Sequence, residues 1–222
     1  IIVIPGVEIS CLYKGSYYHI LGYGIDPNDA GLNDLLHENT MKMEERDCEA
    51  IRRVENTDRG ITIEEYENYR NNPLRGGWKA LNFLIDKGIC NDVNDFFNIF
   101  FYSDDPISKP GFLPPGEIIK VIRTAGGYAV LAHPGANLIW NNSQEPLEGM
   151  LNAFKKEGIQ GIECFHPSNN KDLTRYCVDW CKENNLIITG GSDCHGDFIK
   201  DRKLGQPYII LEMLNLKDLL PV

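Results

Sequence analysis

Apolar and polar positions follow different rhythms in different parts of this chain. From residue 115 onward, short apolar runs alternate with segments whose apolar residues recur every three or four positions. The first rhythm belongs to buried strands, the second to helices that bury one face. The pattern predicts helices over 115–124, 146–157 and 171–184 and strands over 128–132, 161–165 and 186–189. A last strand over 208–211 precedes a short C-terminal helix. Gly126 and Gly127 stop the first helix, Pro146 opens the second and Gly158 closes it. In the third, Leu173, Tyr176, Cys177, Trp180 and Cys181 fall at helical spacing. Strand–helix–strand repetition implies parallel strands joined by helical crossovers.

The first half reads differently. The opening IIVIPGVEIS looks like a buried strand already in progress, which points to a cut N-terminus. Beyond it lie a long charged helical segment (32–54), a capping box at Thr62 and Glu65, and a further helical pattern over 78–85. The aromatic run FFNIFFY (96–102) suits core better than lid or interface. No alternating strand pattern appears between 28 and 114. The expected organisation is therefore one α/β domain, 1–27 with 115–222, interrupted by a mostly helical insertion over 28–114 that could serve as a lid.

Composition narrows the class. With 222 residues, 42% hydrophobic and 24% charged, the chain suits one globular domain with an insertion. No apolar run approaches the roughly 20 residues of a membrane span, so no membrane partner is expected. A net charge of −10 argues against binding long nucleic acid, which needs a basic face, but permits a small phosphorylated substrate. Seven scattered cysteines, an odd number with no C-x-x-C pair, read as reduced thiols of a cytoplasmic protein. Cys177 and Cys181 share one helix face and suit the core.

Chemistry concentrates at strand ends. His133 follows one strand, in VLAHPG, and His166 follows the next, in IECFHPSN. Asp193 and His195 follow the third, in GGSDCHG. Parallel barrels place their active sites at this end. In an extended segment Asp193 and His195 point to one side, as metal ligands or catalytic groups, or else as loop hydrogen-bonding groups. The Pro-Gly after His133 makes a rigid turn that aims its imidazole, which could equally be a core histidine. Glu8, in PGVEIS, faces away from Val7 and Ile9, and its carboxylate needs an ion pair or a cation. His19 sits in a strand-like run where a structural histidine is the commoner case. His166 suits substrate contact or structure equally, Glu163 suits structure, and His37 is a solvated helix residue. Together, hard and borderline ligands converging on one strand end suggest a metal cluster.

The segments PGVEIS, HILGYGID, AGGYAVLAHPG, GIECFHPSN and GGSDCHG, in this order, resemble the later motifs of the PHP (polymerase and histidinol phosphatase) family. The resemblance is nearest to its branch of small bacterial phosphoesterases acting on nucleotides, where RGGWKALNFLIDKG also has a counterpart. It implies a distorted (β/α)7 TIM-like barrel, here incomplete at the N-terminus, around up to three divalent ions of manganese, iron or zinc. Glu8 would bridge two ions, with His19 and His133 completing the second site, Asp193 serving the first and His195 the third. The family's early H-x-H motif, a nearby Asp or His and a later D-H pair precede PGVEIS, and this chain starts seven residues before Glu8. The chain as given is thus expected to hold one ion rather than three.

The resemblance also implies a basic contact to substrate phosphate. Arg75 matches best, although Gly76 and Gly77 replace the family's Arg-x-His pattern, and Lys79 is the alternative. The implied reaction is hydrolysis of phosphate esters of nucleotides or short oligonucleotide ends through a metal-bound hydroxide. His166 or His195 would protonate the leaving oxygen, and Asp193 belongs to the same catalytic group. The competing readings are a histidinol-phosphate-type phosphatase, a 5′-to-3′ exonuclease on short strands, and a non-catalytic metal-binding module or inactive fragment. Metal identity, exact substrate and oligomeric state are not encoded legibly.

Overall fold

The computed structural model describes residues 2–57, 59–140, 146–199 and 202–219. The chain divides into two compact units, one of residues 1–39, 112–194 and 202–222 and the other of 40–111 and 195–201.

The first unit is built on five strands in the order of the chain: β1 (Gly6–Tyr13), β2 (Ser16–Tyr23), β3 (Tyr128–Leu131), β4 (Gly161–Phe165) and β5 (Ile187–Gly190). Here β1 and β2 form an antiparallel hairpin, β2 pairs antiparallel with β3, and β3, β4 and β5 run parallel. The hairpin turns through Lys14 and Gly15 at φ +50° and +75°, the conformation that suits a two-residue turn between twisted strands. The fold is thus α/β with a mixed sheet. The parallel arrangement expected from residue 115 onward holds for β3, β4 and β5. Among the described residues the sheet is open, with β1 and β5 at its edges, so they do not close a barrel.

Strand alternation decides which face carries the core. Ile9, Cys11, Tyr18, Ile20, Ala129, Leu131, Ile162, Cys164 and Ile188 point to one face. Helices α5 (Pro115–Thr124), α7 (Leu147–Lys156) and α8 (Lys171–Glu183) cover that face with Ile118, Ile119 and Ile122, with Met150, Leu151 and Phe154, and with Cys177, Trp180 and Cys181. Gly161 keeps β4 close to its neighbours, because a Cβ there would stand 2.8 Å from Ile187 Cβ and 2.9 Å from its carbonyl oxygen. The opposite face holds a smaller apolar group around Val130, Ile187 and Leu219 and, beside it, the polar residues Glu8, His19 and Glu163.

Three expectations need correction. Residues 208–211 form no strand: Tyr208 is 77% exposed, and the bridge to β5 is made by Asn215 on Ile188. Consecutive apolar residues there mimic a strand without a partner strand to pair with. The opening segment is strand only in its second half. Ile2 and Val3 are exposed and β1 starts at Gly6, after Pro5, which has no N–H to give a ladder. Finally, the HPG segment opens a helix, α6 (Pro134–Trp140), where proline at the first position is tolerated because its missing N–H would be unpaired anyway.

In the second unit, the later part of α1 (Ala30–Glu55) joins α2 (Ile63–Asn68), α3 (Lys79–Asp86) and α4 (Val93–Phe100), with no strand among the described residues. The capping box is formed: Glu65 N–H donates to Thr62 Oγ1 at 3.1 Å, and Thr62 N–H donates to Glu65 Oε2 at 3.0 Å. Ile51, Leu81, Phe83, Leu84, Phe96 and Phe100 make the core, so the aromatic run is partly interior, with Phe97 and Phe101 half-buried and Ile99 and Tyr102 exposed. No described helix is long and apolar enough to cross a membrane.

Candidate metal centre

Register brings the first ligands together. Glu8 pairs with Leu21 and Ser10 with His19, so Glu8 and His19 are diagonal neighbours on one face of the hairpin. Ile20 pairs with Leu131, and Ala132 N–H donates to the His19 carbonyl at 3.1 Å. The chain leaving β3 therefore passes beside His19 and delivers His133 to the same spot.

The three side chains converge. Glu8 Oε1 lies 2.7 Å from His19 Nδ1 and 3.0 Å from His133 Nε2, and the two ring nitrogens are 3.1 Å apart. Burial alone would raise the Glu8 pKa. Hydrogen bonds from His133 and His19, with their charges, more than reverse this and hold the carboxylate well below its usual range. Burial lowers the pKa of His133, so its neutral form is favoured. An ionised carboxylate and neutral imidazoles are the ligand forms of these groups. One carboxylate oxygen and two imidazole nitrogens this close can meet a single divalent ion at about 2.0–2.2 Å, so the donor set fits a metal such as zinc, manganese or iron.

A second cluster stands at the ends of β4 and β5. His166 is buried, and its Nδ1 accepts from the Ser168 backbone N–H at 3.0 Å and lies 2.7 Å from Ser168 Oγ. Its Nε2 is 3.5 Å from Asp193 Oδ2, and burial lowers its pKa. The His133 and His166 ring centroids are 5.3 Å apart, so the two clusters adjoin. His133 and Asp193 both adopt positive φ, +27° and +48°. Positive φ is uncommon in residues other than glycine, and such residues gather at functional sites.

Two contributors were not foreseen. Glu163, read as structural, is buried, accepts the His133 backbone N–H at 2.9 Å and has its pKa raised by burial. Arg202 forms an ion pair with Asp193. The alternation of β4 could have placed Glu163 on the site face, whereas nothing in the local pattern marks Arg202.

His195, Arg75 and Lys79 belong to the second unit. Arg75 is paired with Asp86 at 2.5 Å, and Lys79 donates to the Glu67 carbonyl at 3.0 Å with its ammonium 4.6 Å from the Tyr66 ring centroid. The His195 carbonyl lies 2.7 Å from where a Cβ on Gly76 would stand, so residue 76 must lack a side chain. His37 is exposed on α1.

Comparison with known proteins supplies the context. No family model matches the chain. The 5′-3′ exoribonuclease Rnm of Escherichia coli is 25% identical over 198 residues, covering 87% of this chain and 65% of the relative. The chain thus spans about two thirds of the length of that relative. The phosphoribosyl 1,2-cyclic phosphate 1,2-diphosphodiesterase of Eggerthella lenta is 26% identical over 220 residues, 88% of this chain and 74% of the relative. The 3′,5′-nucleoside bisphosphate phosphatase of Chromobacterium violaceum is 25% identical over 206 residues, 90% and 70% respectively. Among solved structures, a protein from Bifidobacterium adolescentis described as a metal-dependent phosphoesterase shares the fold. Its TM-score is 0.76 at 23% identity, over 91% of this chain and 71% of that one. These findings make the chain a relative of enzymes that cleave phosphate esters, in agreement with the PHP-family resemblance of its motifs.

Proposed function

We propose that this protein is a metal-dependent phosphoesterase that hydrolyses phosphate esters of nucleotides or short oligonucleotide ends. The observation that carries the reading is the convergence of Glu8, His19 and His133 donor atoms within 3.1 Å of one another, beside the strand ends that bear His166 and Asp193. A divalent ion held there supplies a Lewis acid for a phosphoryl oxygen and acidifies water. Glu8 contributes negative charge to hold the cation, and His19 and His133 contribute neutral nitrogens. Glu163 fixes the backbone of His133 and so the direction of its ring. His166 accepts at Nδ1 from a backbone N–H, which leaves its proton on Nε2. That N–H is the group we assign to donate a hydrogen bond to the leaving oxygen, whose proton comes from water.

The family resemblance alone extends this reading to Asp193 and His195 as further ligands and to a centre of up to three ions. It likewise supports Arg75 or Lys79 at the substrate phosphate, and the five-stranded sheet as part of a distorted (β/α)7 barrel interrupted over 28–114. The relatives' names span bisphosphate, cyclic phosphate and RNA substrates. The net charge of −10 favours the small ones. Seven free cysteines suit a reducing, cytoplasmic setting.

Turnover by the natural full-length protein, with and without chelator, tests the proposal. The panel comprises a nucleoside bisphosphate, a cyclic phosphate, a 5′-phosphorylated oligoribonucleotide and histidinol phosphate. Loss of several kcal/mol of charge stabilisation predicts a fall of roughly 100-fold or more on chelation, reversed by added manganese, for a nucleotide-type substrate. Chelator-insensitive turnover contradicts it. Preference for histidinol phosphate, or no turnover with metal bound, selects one of the rival readings.

A further inference from the structure

The site gathers three carboxylates, Glu8, Glu163 and Asp193, where a phosphate dianion must approach. Arg202 is the cation paired with one of these carboxylates, Asp193. Its side chain is 19% accessible, and its Nη1 donates to Asp193 Oδ2. That same oxygen faces His166 Nε2 at 3.5 Å, so the guanidinium is held at one corner against the residue that follows β5.

A guanidinium carries five N–H donors in a planar fork. Among the described residues, the bond to Asp193 is the one hydrogen bond that Arg202 makes. The remaining donors are reached by solvent, so a ligand entering the site can take them. A fork of parallel N–H groups matches the oxygens of a phosphoryl group, in charge and in spacing. Neutralising Asp193 alone would need only a point charge.

We propose that Arg202 is a phosphate-binding residue of this site, anchored by Asp193 and presenting the rest of its fork to the substrate phosphoryl group. This inference rests on the phosphoesterase reading, and it adds a residue from the segment after β5 to the substrate contacts.

The test is binding of inorganic phosphate to the purified chain in manganese, by calorimetry, for wild type, Arg202→Gln and Arg202→Lys. Charge-assisted bonds are the strong ones, so Arg202→Gln is expected to weaken phosphate about tenfold or more. Arg202→Lys should recover part of the affinity as a point charge, with manganese content unchanged in both variants. If Arg202→Gln does not fold, a several-fold weakening in Arg202→Lys at unchanged manganese content carries the inference. Unchanged phosphate affinity in the variants overturns it, as does a loss that merely follows lost manganese, or no phosphate binding by wild type. The phosphoesterase reading fails separately, when the natural protein hydrolyses no phosphate ester although phosphate binding still depends on Arg202.

Discussion

Glu8→Gln is expected to remove divalent-ion binding at the Glu8–His19–His133 site while leaving the metal-free protein folded. The substitution keeps the shape but deletes the negative charge, and a neutral amide is a poor partner for a cation. Losing only a supporting residue of a metal site costs about 10–100-fold in affinity. Under the proposal Glu8 would be a direct ligand of the ion, so a loss beyond that range is expected. Stability should change by no more than about 1 kcal/mol, because the side chain is 39% accessible and solvent screens its interactions. Manganese titration and urea unfolding of the same variant separate the two effects. Unchanged manganese affinity in Glu8→Gln would remove Glu8 from the site.

Phe154→Ala is expected to act the other way, through stability. Phe154 is fully buried on α7, with its ring centroid 5.4 Å from that of Tyr13 and 5.2 Å from that of Tyr18. These rings lie beside the turn of the hairpin that carries Glu8 and His19. Truncating a buried phenylalanine costs about 3–5 kcal/mol. That is a large share of the roughly 5–15 kcal/mol that holds a domain folded. Urea unfolding followed by near-ultraviolet dichroism should show the loss, and ion binding should weaken with it. A cost below about 1 kcal/mol would mean that α7 does not pack on the sheet as described.

Much of the fold was legible because its signals are local. Helix α5 and strand β4 fall on their expected spans, and the Thr62–Glu65 box forms as its sequence implies. The antiparallel hairpin carries a weaker signal: Lys14-Gly15 is a less marked turn than Asn-Gly, and neither strand's pattern by itself names its partner. Helix α6 was masked because Pro-Gly signals a turn and a helix start equally well.

The site divides along the same line. Glu8 and His19 stand out as polar residues within apolar strands, and His133, His166 and Asp193 as polar residues just past strand ends, where burial needs a reason. Their convergence could not be read, since it depends on the β1–β2 and β2–β3 registers. Glu163 looked structural because its partner is a backbone N–H thirty residues away. Arg202 lies in a charged stretch where an arginine signals nothing by itself, and only its pairing with Asp193 gives it a role. The positive φ of His133 and Asp193 is likewise invisible before folding.

The most direct measurement is anomalous diffraction at the zinc edge from crystals of this chain grown with zinc. The expected result is a peak about 2.0–2.2 Å from Glu8 Oε1, His19 Nδ1 and His133 Nε2. No peak among these three atoms, with zinc bound elsewhere or absent, would contradict the assignment of the metal centre.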